Sequence, residues 1–338
     1  MRHGIPIFGR ALVCAAFLAV APGRSQAKPP EPSASCGQRG RVIFDATATL
    51  SDADGQPLAR FSGGESAVTL LSPPVEGSDV AKIETGTGRG SFRLPGFVKA
   101  SDLRIYTGVA VPIVDGHVWF AAGTRVIAAG SSGGKVRLER QLGTPFSQRF
   151  SATAACSALT FAPPTAPAFS PPGSARLFLM KGPALELFGA LPPTGPPVLT
   201  LQRAAQVESV RFYGAEQRGG FVHIQYRGEI NVDAWARAEQ LTPLPRGETI
   251  DASASTYTLS SPPQLQLPQP PRTVKTTREL PLRSEPKDAA PPIGVIETDT
   301  ELFVMDTTAG WSKVLPKSLH VLPYGERAFW VKAADLGP

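Results

Sequence analysis

Two distant stretches of the chain are almost the same: residues 97–103 read FVKASDL and residues 330–336 read WVKAADL. A looser copy, WARAEQL, occupies residues 235–241, and the weakest copy, TAACSAL, occupies residues 153–159. Apolar alternation followed by a small residue is typical of a strand that ends in a tight turn, so we expect each copy to close a small barrel with its first aromatic pointing inward. The core residues predicted from the three clearer copies are Phe97, Leu103, Trp235, Leu241, Trp330 and Leu336.

The residues upstream of each copy predict hairpins. Short alternating or β-branched runs lie between turn-forming pairs such as Gly133-Gly134, Gly219-Gly220 and Ala309-Gly310. Second hairpin strands are expected to start at Val80, Lys135, Phe221 and Trp311, at a similar distance before each copy. Because no segment has a sustained helical period, we predict an all-β protein made of four repeated barrels.

Proline-rich stretches divide the repeats. FAPPTAPAFSPPG fills residues 161–173 and SPPQLQLPQPPR fills residues 261–272, and such sequences favour extended spacers. We therefore predict tandem small barrels joined by Pro-rich linkers. Their bounds are repeat 1 at residues 36–104, a divergent repeat 2 at 105–160, a linker at 161–173, repeat 3 at 174–245, a linker at 246–277 and repeat 4 at 278–338.

The first 27 residues have the features of a secretory signal peptide. An apolar run at residues 11–21 follows a basic start and precedes the small-residue site Ser25-Gln26-Ala27. The run is too short to span a membrane, and no later segment approaches that length, so we expect an exported protein without a membrane span, periplasmic or extracellular. Cys14 lies inside the apolar run, whereas a lipidated cysteine should follow it; a lipoprotein is the less favoured alternative.

Charge and cysteine usage fit this location. The formal charge is +6, and half of it comes from Arg2, Arg10 and Arg24 in the predicted leader, which leaves too little for a polybasic nucleic-acid tail. Removing the leader leaves Cys36 and Cys156, which an oxidising compartment would pair into one disulfide. The alternative is two buried, unpaired thiols.

The last copy resembles the bacterial Src-homology-3 domain, SH3b. The resemblance rests on LRSEP at 282–286, IGVI at 293–296, TELFV at 300–304 and GWSKV at 310–314, followed by the closing WVKAADL. Repeats 1 and 3 follow this order with weaker loops, and repeat 2 follows it by spacing alone. Repeat 4 departs from it by an insertion at residues 316–326, and repeat 1 lacks the Gly-Trp pair. The resemblance implies a five- or six-stranded barrel of exported bacterial proteins, some of which bind peptidoglycan.

Groups that could carry catalysis are scarce. After the predicted leader, only His117, His223 and His320 remain, far apart in sequence and without the paired spacing of a zinc site or an evident nucleophile. The glycine-rich residues 86–90 are followed by SFRL rather than by the Lys-Ser or Lys-Thr of a phosphate loop, so we interpret them as a hairpin turn. We predict no catalytic residues, no metal site and no cofactor.

The sequence therefore favours a binding protein over an enzyme. The predicted function is recognition of peptidoglycan or a wall-associated envelope protein, with Tyr324, in the insertion, and Trp311 as candidate contact residues. The alternative is an assembly scaffold for proteins, with the proline-rich spacers setting the distances between barrels. A third hypothesis is an enzyme with an unfamiliar site that uses one of the three histidines.

Overall fold

The protein is all-β, as predicted. The computed structural model describes residues 36–86, 90–165, 169–245 and 271–337. The predicted leader at 1–27, most of the second linker and three residues of the glycine-rich turn lie outside these ranges. Every strand pairing is antiparallel, and the helices in the described ranges are four short 3-10 turns. None of the described helices is long and apolar enough to cross a membrane.

Repeats 1 and 2 contain the first fourteen strands. The elements of repeat 1 are β1 (Gln38–Ile43), β2 (Thr49–Ser51), β3 (Pro57–Phe61), β4 (Glu65–Ser72), β5 (Val80–Thr85), β6 (Phe92–Arg93), β7 (Pro95–Lys99) and the 3-10 helix η1 (Ala100–Asp102). Those of repeat 2 are β8 (Ile105–Thr107), β9 (Val111–Val114), β10 (Val118–Phe120), β11 (Arg125–Ser132), β12 (Lys135–Gln141), β13 (Arg149–Ala155), η2 (Cys156–Ala158) and β14 (Leu159–Thr160).

Repeats 3 and 4 contain the remaining strands but one. The elements of repeat 3 are β15 (Arg176–Met180), β16 (Ala184–Phe188), β17 (Leu199–Gln202), β18 (Arg211–Arg218), β19 (Phe221–Arg227), β20 (Ile230–Arg237), η3 (Ala238–Gln240) and β21 (Leu241–Pro243). Those of repeat 4 are β23 (Leu280–Arg283), β24 (Pro292–Ile296), β25 (Glu301–Thr308), β26 (Trp311–Pro316), β27 (Val321–Pro323), β28 (Phe329–Lys332) and η4 (Ala333–Leu336). The strand β22 (Arg272–Lys275) lies in the predicted second linker and pairs with β25, so the end of that segment belongs to the last sheet.

The four repeats share a three-stranded meander, formed by β4-β5-β7, β11-β12-β13, β18-β19-β20 and β25-β26-β28. In each one, the register of the first hairpin shifts by one residue, at Leu71, Ala129, Ala215 and Met305. Three of these hairpins turn through two left-handed residues, Gly133-Gly134, Gly219-Gly220 and Ala309-Gly310. Two successive positive φ angles give a type I′ turn, which matches the twist of the strands, so the turn pairs predicted from sequence are confirmed.

Each matching sequence copy has the same conformation. Its last strand ends in an extended residue, and η1, η2, η3 or η4 begins at the small residue that follows. The amide of that small residue donates to the carbonyl just before the middle strand of the meander in three repeats: Ala100 to Asp79, Ala238 to Gly220 and Ala333 to Gly310. The hydrogen bond brings the turn close to the hairpin, which favours a small side chain.

The repeats are not independent of one another, because their sheets exchange strands. The strand β27, in the insertion of repeat 4, pairs with β3 of repeat 1, and β6 of repeat 1 pairs with β24 of repeat 4. Likewise β10 of repeat 2 pairs with β20 of repeat 3. Buried apolar side chains from all four repeats form one connected cluster. We expect from the sequence separate barrels that stiff linkers hold apart. In the structure the repeats also pack against one another and pair strands directly.

A disulfide joins repeats 1 and 2. Cys36 and Cys156 are bridged across 120 residues of sequence, with their Cα atoms 5.3 Å apart, as predicted. Cys156 begins η2, at the position that Ala100, Ala238 and Ala333 occupy in the other repeats. Nearby, a Cβ added to Gly40 would lie 2.9 Å from the ring of the buried Phe161, which allows the first residue of the proline-rich segment to pack on β1.

Candidate functional site

The candidate site begins on the outer side of three neighbouring strands, β10, β20 and β19. In β20, buried apolar residues alternate with half-buried ones that face away from the core. The register aligns Trp119 with Asn231 and Asn231 with Arg227 in one row across the sheet. Side chains of paired residues lie on the same side of a sheet, so these rows form one surface. We call it the aromatic-polar face; its residues are His117, Trp119, His223, Gln225, Arg227, Asn231, Asp233 and Trp235.

Arg227 joins the aromatic groups of this face. Its guanidinium carbon lies 5.5 Å from the Trp119 ring centroid and 4.7 Å from that of Phe169, within the range of cation–π attraction. The same group donates to the carbonyls of Tyr226 and Val232. Burial lowers the pKa of Arg227, and the carboxylate of Asp233 opposes that change. Because arginine stays protonated in proteins, a fixed positive charge lies between two aromatic rings.

Asp233 organises the middle of the aromatic-polar face. Its carboxylate lies 2.8 Å from His223 Nε2 and accepts a hydrogen bond of 3.0 Å from Gln225 Nε2. The His223 ring in turn lies 4.8 Å from the Trp235 ring. His117 Nδ1 is 3.4 Å from the Asp233 carbonyl oxygen, so two of the three histidines meet at one residue. These contacts fix the orientation of Trp235 and of the polar groups beside it.

A cleft of about 580 Å³ continues from Arg227 and lies against β18 and β19 of repeat 3. We call it the Tyr226 cleft; it is lined by Pro145, Phe169, Ser209, Val210, Arg211, Tyr213, Tyr226 and Arg227. Tyr226 packs against Phe146 with ring centroids 5.2 Å apart. Burial, with a smaller effect of Glu229, raises the pKa of Tyr226 to about 12, so its phenol is neutral at pH 7.

The chemistry of these surfaces suits binding of a ligand with both flat apolar and polar parts. The accessible parts of the half-buried Trp119, Trp235 and Phe169 rings can contact the apolar faces of ligand rings, while amide, carboxylate and guanidinium groups beside them can bond hydroxyls and carboxylates. Among the described residues, no group of three His, Cys, Asp or Glu side chains is placed to hold a metal ion.

The two contact residues predicted from sequence lie elsewhere. Tyr324 follows β27 and is 41% exposed, with its amide bonded to the Leu58 carbonyl of repeat 1. Trp311 is only 7% exposed, and its ring lies 5.9 Å from the cationic groups of Arg283 and Lys332. Of the two, Tyr324 is therefore the one that a ligand could reach directly.

The predicted core residues of the repeats divide into two groups. Leu103, Leu241 and Leu336 are buried, and the residue after each aromatic also lies in the core. The aromatics themselves, Phe97, Trp235 and Trp330, are half-buried and face outward, which differs from the inward orientation that we expected. The reason is the period of two in a strand: the apolar residue that follows fills the barrel, so the aromatic must lie on the other side.

The sequence contained a signal for part of the site. Residues 221–227 and 231–237 alternate large polar or aromatic side chains with small apolar ones, which is typical of a strand pair with one functional face. Trp119, Tyr213 and Phe169 carried no such signal, because they reach the site through pairing and packing between segments distant in sequence.

No known family model matches the chain, and no curated protein matches it either. Among solved structures, the chain is similar to NlpC2 from Trichomonas vaginalis, with 11% sequence identity, a match that covers 48% of each chain and a TM-score of 0.17. The chain thus matches about half the length of that structure, and similarity this low carries no argument about fold or function.

Proposed function

We propose that this chain is an exported, non-catalytic binding protein of the bacterial cell envelope that recognises peptidoglycan through its SH3b-like repeats. The observation that carries the proposal is the aromatic-polar face, where Trp119 and Trp235 flank a row of hydrogen-bonding side chains. Sugar rings present apolar C–H faces and a rim of hydroxyls, and both parts have partners on this surface.

The geometry accommodates an extended ligand. Trp119 pairs with Asn231, which is four residues from Trp235 on the same strand, so the two rings are separated by about 13 Å along the sheet. The guanidinium of Arg227 lies over the Trp119 ring, in the row that Trp119 shares with Asn231, and is suited to a carboxylate, a group that the lactyl ethers and peptide stems of peptidoglycan carry. The disulfide supports export, because such bridges persist in oxidising compartments.

A sedimentation assay with purified sacculi tests the proposal. We expect the chain to co-sediment, and Trp119→Ala to weaken binding at least tenfold with an unchanged urea midpoint. Thr153→Ala is the control, since Thr153 is an outward-facing residue of β13, in the same repeat as Trp119, and lies outside the aromatic-polar face. Retention no greater than that of an unrelated exported protein would refute the proposal. Sacculi stripped of protein separate the alternatives: binding that disappears on stripping would favour the protein scaffold instead.

A further inference from the structure

The aromatic at the centre of the aromatic-polar face has counterparts in two other repeats. Trp235 lies between two strands, opposite Phe188 on one and His223 on the other. In repeat 1, Phe97 lies in the same way opposite Ser51 and Lys82, and in repeat 4, Trp330 lies opposite Arg283 and Lys313. Phe97, Trp235 and Trp330 therefore occupy one equivalent position in the fold, half-buried and facing outward.

Each of these aromatics has basic groups beside it. The side chain directly across the middle strand is Lys82, His223 or Lys313. Two residues after the aromatic, on the same face, is a lysine or arginine: Lys99, Arg237 or Lys332. An aromatic ring with basic side chains on two sides suits a sugar that bears a carboxylate, because the aromatic ring can stack on the sugar ring while the basic side chains bind the carboxylate at the edge of the sugar.

Repeat 2 has lost this arrangement. The equivalent pair is Thr153 opposite Arg137, so no ring is present. The position two residues after Thr153 is Ala155 rather than a cation. Three repeats of four thus carry the aromatic and its basic neighbours, and the fourth provides an internal control.

In repeat 1 the aromatic also lines a cavity. A space of about 510 Å³ is lined by Phe97 and Lys99 together with Thr47, Thr49 and Ser51. Asp102, at the end of η1, lines it too, and burial raises the pKa of that carboxyl while Lys99 lowers it. Hydroxyls, a carboxyl and an aromatic ring around one cavity are the groups that hold a polyhydroxylated ligand.

We propose that repeats 1, 3 and 4 each carry one such site, centred on Phe97, Trp235 and Trp330, and that the chain holds a carboxylated sugar polymer at three points. The inference rests on the proposed function and specifies its valency. The strand exchange joins repeat 1 to repeat 4 and repeat 2 to repeat 3, and the disulfide and the common core join these pairs, so a polymer that spans the sites meets the second and third at high effective concentration. Such linkage raises affinity for a long polymer by about 10²- to 10⁴-fold over a single unit.

The experiment measures stoichiometry with a short ligand and avidity with a long one. The short ligand is a purified disaccharide-peptide unit from muramidase-digested peptidoglycan, titrated calorimetrically into the full chain; the long ligand is intact sacculi. We expect three units per chain for the unaltered protein. Each of Phe97→Ala, Trp235→Ala and Trp330→Ala should lower that number to two and weaken sacculus binding at least tenfold, while Thr153→Ala leaves both unchanged.

Variants of two cations outside the core, the exposed Lys82 and the half-buried Lys313, separate a binding role from a structural one. Lys82→Ala and Lys313→Ala remove a charge without touching the core, and each should weaken one of the three sites while the urea midpoint stays the same. A stoichiometry of one that only Trp235→Ala abolishes would overturn the three-site inference and leave the proposed function intact. If the unaltered chain binds neither the unit nor the sacculi, both the inference and the proposed function are refuted.

Discussion

The disulfide between Cys36 and Cys156 allows a quantitative prediction. The bridge closes a loop of 120 residues, and the loss of chain entropy in the unfolded state predicts a contribution of about 5 kcal/mol at 25 °C. A hydrogen bond beside the bridge holds the same two segments together in the folded state, because Gln38 Nε2 donates to the Leu159 carbonyl, and the Cys36 amide donates to the Leu71 carbonyl within repeat 1. The folded state should therefore change little when the bridge is removed. The free energy of unfolding should then fall by most of this entropic contribution.

The perturbation is the double variant Cys36→Ala with Cys156→Ala. Alanine is the natural choice at position 156, because three other repeats have alanine at the equivalent turn. We expect equilibrium unfolding in guanidinium chloride to show a loss of about 3–5 kcal/mol. The unaltered chain measured with a thiol reductant should give the same curve as the double variant. A loss below about 1 kcal/mol, or a reductant that leaves the unaltered chain unchanged, would refute the entropic argument.

Three further predictions concern single residues. Gly40→Ala should cost about 1–3 kcal/mol in urea unfolding, because the new methyl meets the Phe161 ring, whereas Gly195→Ala, in open space, should be neutral. Tyr226 has a pKa raised from about 10 to about 12, so the neutral phenol stabilises the fold below pH 10, and this stabilisation is lost as pH rises toward 12. Between pH 9 and pH 11.5 the free energy of unfolding should therefore fall by roughly 2 kcal/mol more in the unaltered chain than in Tyr226→Phe, as measured by unfolding at both pH values. Asp102 has a pKa raised by burial, so its ionised form is disfavoured in the fold; Asp102→Asn should raise the thermal midpoint at pH 7 and leave it unchanged at pH 3.

Much of the fold could be predicted from local signals. The turn pairs Gly133-Gly134, Gly219-Gly220 and Ala309-Gly310 determine their hairpins through backbone conformation alone. The four sequence copies also share one conformation, since a small residue is favoured where the turn approaches the hairpin. These features depend on a few neighbouring residues, and the sequence displays them directly.

The pairing between repeats could not be predicted in that way. Nothing in residues 316–326 indicates that β27 pairs with β3, because an edge strand can accept any partner of suitable shape and twist. The same limit applies to the site. His117 and His223 are far apart in sequence, and they meet at Asp233 only because β10 adds to the edge of β20.

The orientation of the aromatics shows where local reasoning failed. We expected Phe97, Trp235 and Trp330 to fill the barrels because large apolar side chains usually lie inside. In each copy, however, the following Val or Ala takes the core position, and alternation leaves the ring on the outside. The residues interpreted as packing groups thus became the centre of the proposed sites.

The exchange of strands between the first and last repeats has a consequence for how the chain is made. Ribosomes synthesise the N-terminus first, so β3 and β6 emerge long before their partners β27 and β24. During that interval two sheet borders are without their final neighbours, and such borders invite association with other copies. A chain truncated before residue 292 would leave both borders unpaired, so a chaperone that covers exposed strands would protect this protein until its synthesis is finished.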